Sequence, residues 1–118
     1  MKLISIEKSS NPKKKYMAIF CMCNGCSKCS PVQRKVVHFG AYGYNDFIKY
    51  SKMRGASPNE NAKLKELAEK HKASYIARHS VNEDFNDPFT AGSLALHILW
   101  NKTTLSASVA DYKQHFNL

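Results

Sequence analysis

Residues 88–116, PFTAGSLALHILWNKTTLSASVADYKQHF, decide the fold. Thr90 follows Asp87-Pro88 as a natural N-cap, and Ala91, Leu94, Ala95, Ile98 and Leu99 recur at the spacing that gathers one helical face. Leu96 and Trp100 add apolar bulk on the flanks, so the helix is greasy most of the way round and belongs in a core. Asn101-Lys102-Thr103-Thr104 interrupts the pattern. Ser106 is placed to cap a second helix, whose Val109, Tyr112 and Phe116 return at intervals of three and four. A helical hairpin of this kind needs a layer to pack on.

The N-terminal third supplies one. Residues 2–8 alternate as an edge strand, Tyr16 to Phe20 is rich in β-formers, and Arg34 to Phe39 forms a third strand stopped by Gly40. The expected fold is α+β: a small antiparallel meander of about three strands packed against a helical layer with a C-terminal hairpin. It is one domain over residues 1–118, with the sheet in 1–44, a cysteine-rich hairpin tip at 21–33 and the helical part in 45–118. Gly40 to Tyr44 reads as a glycine-punctuated corner, because the Gly-x-Gly-x-x-Gly spacing of a phosphate cradle is missing. Asn45 or Asp46 caps a short helix through Tyr50, a loop follows from Lys52 to Glu60, and 61–79 is a long helix with Leu64, Leu67, Ala68, His71, Tyr75 and Ile76 on its inner side. Residues 82–88 form an acidic, turn-rich connector.

Composition narrows function. The chain has 118 residues, 43% hydrophobic and 23% charged, as in ordinary globular domains, and no apolar run approaches a membrane span of about 20 residues. Its first residues lack the apolar centre of a signal peptide, which predicts an intracellular protein. The formal net charge is +9. Residues 1–54 carry 11 Lys/Arg against Glu7 and Asp46, whereas residues 55–118 balance 7 against 7. Such asymmetry suits a polyanion, and nucleic acid is the commonest intracellular one. Lys13, Lys14, Lys15, Arg34 and Lys35 are the candidate phosphate contacts, with Tyr42 and Tyr44 as candidate stacking platforms.

All four cysteines fall within nine residues: Cys21, Cys23, Cys26 and Cys29. Two overlapping Cys-x-x-Cys turns allow thiolates to converge on one structural zinc ion, although zinc ribbons normally join two separated knuckles. Disulfides and reduced thiols are the alternatives. Catalysis is not expected. His79, Glu83 and Asp87 share a four-residue spacing, but the segment is a poor helix, and no Ser/His/Asp or Cys/His set stands out. Nothing marks a small-molecule substrate.

Several motifs resemble a small uncharacterised protein family of giant, nucleocytoplasmic large DNA viruses. They are Tyr75-Ile76-Ala77-Arg78-His79, Asn82-Glu83, Asn86-Asp87-Pro88, Thr90-Ala91-Gly92, Ile98 to Lys102 and Ala107 to Tyr112, with Lys14-Lys15-Tyr16, Phe39-Gly40-Ala41 and Gly43-Tyr44 upstream. The resemblance runs from about Asn11 to Phe116. Phe85 stands where a tryptophan is usual, and the cysteine tip and residues 51–72 look like additions, so zinc does not follow from it. It implies a viral source, a setting in the host cytoplasm, viral factory or virion, and no established activity. By analogy with packaged basic proteins, the expected partners are DNA or RNA bound non-specifically or, for a minor capsid-associated interaction protein, viral capsid proteins whose acidic surfaces meet the same lysines.

Overall fold

Three segments rich in β-branched and aromatic residues pair as an antiparallel meander in a computed structural model of the chain, which describes residues 2–23, 28–81 and 83–118. The strands are β1 (Lys2–Lys8), β2 (Lys14–Cys21) and β3 (Arg34–Ala41), in spatial order β1-β2-β3. A shift in register between Leu3 and Ser5 leaves Ile4 as the extra residue of a bulge. Leu3, Phe20, Ala18 and Phe39 are buried on the face turned to the helices. Residues of the other parity, including Ile19 and Val36, face away from them.

The helical layer comprises α1 (Phe47–Lys52), α2 (Pro58–His79), α3 (Ala91–Leu94), which continues as a π-helical turn over Ala95–Leu99, and α4 (Leu105–Phe116). Asp46 is the N-cap of α1, its carboxylate accepting from Lys49 N, and Ser57 caps α2. The α2 start lies inside the expected loop because Pro58 suits a first helical position. Thr90 caps α3 as its sequence predicts. Thr104, rather than Ser106, caps α4, so that Leu105 joins Val109, Tyr112 and Phe116 against the core. No described helix is long and apolar enough to cross a membrane.

Leu94, Ala95, Ile98 and Leu99 are buried as their spacing requires. The departure is the π turn, in which Trp100 N donates to Ala95 O at 3.2 Å. Trp100 is thereby buried instead of flanking, stacked on Tyr75 of α2 at 4.8 Å between ring centroids. In α2 the inner row is Leu64, Ala68, His71 and Tyr75; Leu67 and Ile76 lie one residue to either side of that row and are exposed.

Polar side chains close the hairpin. Tyr112 Oη donates to Pro88 O at 2.7 Å, His97 Nε2 lies 2.8 Å from Phe85 O, and Asn101 Nδ2 donates to both His97 O and Asp111 Oδ2. Ser108 Oγ accepts from Lys102 N, and Lys72 Nζ reaches across from α2 to Asn101 O. These contacts use most of the polar residues in the Ile98–Lys102 and Ala107–Tyr112 motifs. The motifs therefore read as a hydrogen-bonded latch between hairpin and connector.

Burial, reinforced by Asp87, holds the Tyr112 hydroxyl well above the ordinary tyrosine range. Burial and then Glu83, opposed by Arg78, raise Tyr75 to about 12. A raised folded-state value means stability that is complete below about pH 10, the unfolded value, and lost as pH rises through the folded value. Tyr112→Phe is expected to cost about 1–2 kcal/mol at neutral pH through the lost hydrogen bond. Denaturant titrations should also show a shallower alkaline decline in this variant than in the parent. Identical declines above pH 10 would contradict the assignment.

Candidate nucleic-acid interface

Two turns bring the basic residues together at one end of the sheet. In the β1–β2 turn, Asn11 Oδ1 accepts from Lys13 N and Asn11 O accepts from Lys14 N. In the corner after β3, Tyr44 N donates to Ala41 O at 3.4 Å, and Gly43 takes φ +88°, a position that favours glycine. Tyr42 N donates to Lys13 O at 3.0 Å, which locks the corner onto the turn. Lys13 is exposed there, and Tyr42 and Tyr44 are 68% and 72% exposed, as stacking platforms must be.

Lys15 behaves differently. Its Nζ lies 2.6 Å from Asp46 Oδ2, and the two side chains are only 8% and 5% exposed. Its charge is spent on the cap residue of α1 and does not face solvent. In its place the structure joins to Lys14 three lysines that the sequence does not single out, Lys8, Lys49 and Lys52. Lys8, Lys14, Lys49 and Lys52 border a basin of about 340 Å³ together with Tyr42. The Asp46 cap carried the signal for two of them: with Phe47 and Ile48 buried, positions 49 and 52 share the outer face of α1. Among the described residues the ion pairs are Lys15–Asp46 and the exposed Glu66–Lys70, so no carboxylate pairs with the four basin lysines.

Arg34 and Lys35 are elsewhere. Arg34 pairs with Cys21 and Lys14 with Ala41, which puts the length of β2, roughly 23 Å at 3.3 Å per residue, between the two groups. Lys35 Nζ sits 5.7 Å from the Phe89 ring centroid. The seven sequence candidates thus occupy two ends of the sheet, with Lys14 and Tyr42 lining the cationic basin, Tyr44 lining the cavity beside it and Lys13 on the adjoining turn.

A second cavity of about 360 Å³ adjoins the basin and shares Lys14, Lys15, Asp46 and Leu99 with it. Tyr75, Arg78, His79 and Glu83 line its helical side, and Gly92 forms part of its floor. The Glu83 carboxylate lies against Gly92, where a Cβ would displace it from its present position. Gly40 is more tightly constrained, since its φ of +78° favours glycine and a Cβ would come within 2.7 Å of Leu99 Cδ1. His79 and Glu83 therefore share a wall, whereas Asp87 turns back to accept from Phe89 N. No three His, Cys, Asp or Glu side chains among the described residues group as metal ligands.

At the opposite end, Cys21 and Cys29 are joined as a disulfide with Cα atoms 5.9 Å apart, and no described cysteine is free. Cys26 falls outside the described residues. A zinc ion on Cys21, Cys23, Cys26 and Cys29 would require that bond to be reduced, and it stays an expectation of the spacing. Peptide mapping without reductant should recover Cys21 and Cys29 cross-linked. Metal analysis after reduction would show one zinc per chain if the spacing expectation holds; a reduced chain that takes up none would remove it.

Over residues 4–50, β1 through most of α1, the chain is similar to a family of unknown function, DUF5754. No curated protein and no solved structure matches. The matched span takes in most of the sheet and Asp46, and ends before the motifs at 75–112.

Proposed function

We propose that this is a non-enzymatic, virion-associated protein that binds nucleic-acid phosphate with low sequence specificity at the β1–β2 turn, the glycine corner and α1. The observation that carries the proposal is the basin bordered by Lys8, Lys14, Lys49 and Lys52, whose one carboxylate, Asp46, is already held by Lys15. Unpaired ammonium groups around a concave surface attract phosphates through counterion release, and flexible lysines read charge rather than sequence. Tyr42 and Tyr44 add flat, exposed rings on which any base can stack. The virion setting rests on the motif resemblance.

A capsid-associated role is the second reading. The sheet surface facing away from the helices exposes Ile4 at 46% and Val36 at 47%, and Val32 at the hairpin tip at 93%. Apolar exposure of this kind favours a protein partner over a phosphate chain.

Salt dependence separates the two. Four phosphate contacts on duplex DNA give a slope of log K against log salt of about −3 to −4. The Lys49→Ala/Lys52→Ala variant should bind more weakly and flatten the slope by about 2. Absence of binding to DNA and RNA at low salt, or a slope unchanged in the variant, would defeat the nucleic-acid reading.

A further inference from the structure

The cavity beside the basin differs from it in chemistry. Its charged groups are mixed, with Lys14 and Arg78 against Glu83, while the Lys15–Asp46 pair is internally neutral. Its walls are aromatic, formed by Tyr75, Trp100 and, at the solvent side, Tyr44. Tyr75 is sandwiched between Trp100 at 4.8 Å and His79 at 4.2 Å, so both of its ring faces are taken and that wall is fixed. Tyr44 is the ring left open to a ligand. The raised Tyr75 value, pushed up by burial and Glu83 and pulled down by Arg78, places both charges within electrostatic reach of one phenol. At about 360 Å³ the volume lies in the range of small-molecule sites, roughly 300–1,000 Å³.

A surface whose unpaired charges are all lysines, as in the basin, suits a phosphate chain. A cavity with an open aromatic ring, two cations and a carboxylate that no described lysine neutralises suits a molecule that carries a phosphate and a flat, hydrogen-bonding ring. We infer that the cavity lined by Tyr44, Arg78, Glu83 and Lys14 is a nucleotide site, which takes one nucleoside monophosphate unit of the strand lying in the basin. Lys14, common to both cavities, and Arg78 meet the phosphate. Tyr44 stacks on the base, and Glu83, held against Gly92, accepts from its polar edge. This inference rests on the nucleic-acid reading and adds a discrete site to it.

The test is calorimetric titration of the full chain at low salt with adenosine 5′-monophosphate, adenosine and inorganic phosphate, beside a single-stranded oligonucleotide. The monophosphate should saturate one site and bind at least tenfold more tightly than either fragment. Arg78→Ala and Tyr44→Ala, both at exposed positions, should each weaken it fivefold or more, whereas Lys113→Ala, which removes a charge outside both cavities, should not. Phosphate binding as tightly as the monophosphate would reduce the cavity to an anion site and overturn the inference. Monophosphate binding indifferent to both substitutions would do the same. If the oligonucleotide binds with the expected salt slope and the monophosphate does not bind at millimolar concentration, the nucleotide site falls and the phosphate-binding surface stands. If neither binds, both fall.

Discussion

The buried ion pair between Lys15 and Asp46 is the constraint on which the functional end of the molecule depends. One Asp46 oxygen holds Lys15 Nζ at the start of β2, and the other accepts Lys49 N at the start of α1. A single carboxylate thus fixes a strand, a helix and the corner between them. Two ions buried together are tolerable only because each is matched and hydrogen-bonded, and removing one partner leaves the other charged and dry. The arrangement also decides which lysines remain outward: Lys15 is spent, and Lys49 and Lys52 are carried to the solvent side of the helix that Asp46 caps.

The polar residues elsewhere serve the fold. Tyr112, Asn101, Ser108 and His97 bind the backbone of the connector and of the interhelical turn, which would otherwise present unsatisfied carbonyl and amide groups beside an apolar core. A cluster of distinctive residues in a small chain invites a catalytic interpretation. Here their partners are backbone atoms of the hairpin and its connector and one another's side chains, which argues for architecture. Arg78, His79 and Glu83 are different, because they line a cavity.

Much of the fold was legible in the chain. The three strands, the α3 row of Leu94, Ala95, Ile98 and Leu99, and the caps at Asp46 and Thr90 follow from period and side-chain chemistry. The π turn was not, since Ala95 to Leu99 has the composition of an ordinary helix and only the docking of Trp100 on Tyr75 reveals the extra residue. The interface was half legible. Consecutive lysines at 13–15 announced themselves, but a strand alternates its side chains, and nothing local to Lys15 disclosed a carboxylate 31 positions away. Lys8, Lys49 and Lys52 are scattered in sequence and meet only through the meander and the cap, while Arg34 and Lys35 are close in pattern and distant in space.

The most direct test of this account is a double-mutant cycle on Lys15→Met and Asp46→Asn, followed by denaturant unfolding; asparagine keeps a cap oxygen for Lys49 N while removing the charge. Each single substitution should cost about 3 kcal/mol or more, and the double variant should cost at least about 2 kcal/mol less than the sum, because it leaves no orphaned charge. Costs that add within about 0.5 kcal/mol would show that the two groups do not depend on each other, and that the cationic end is organised by something else.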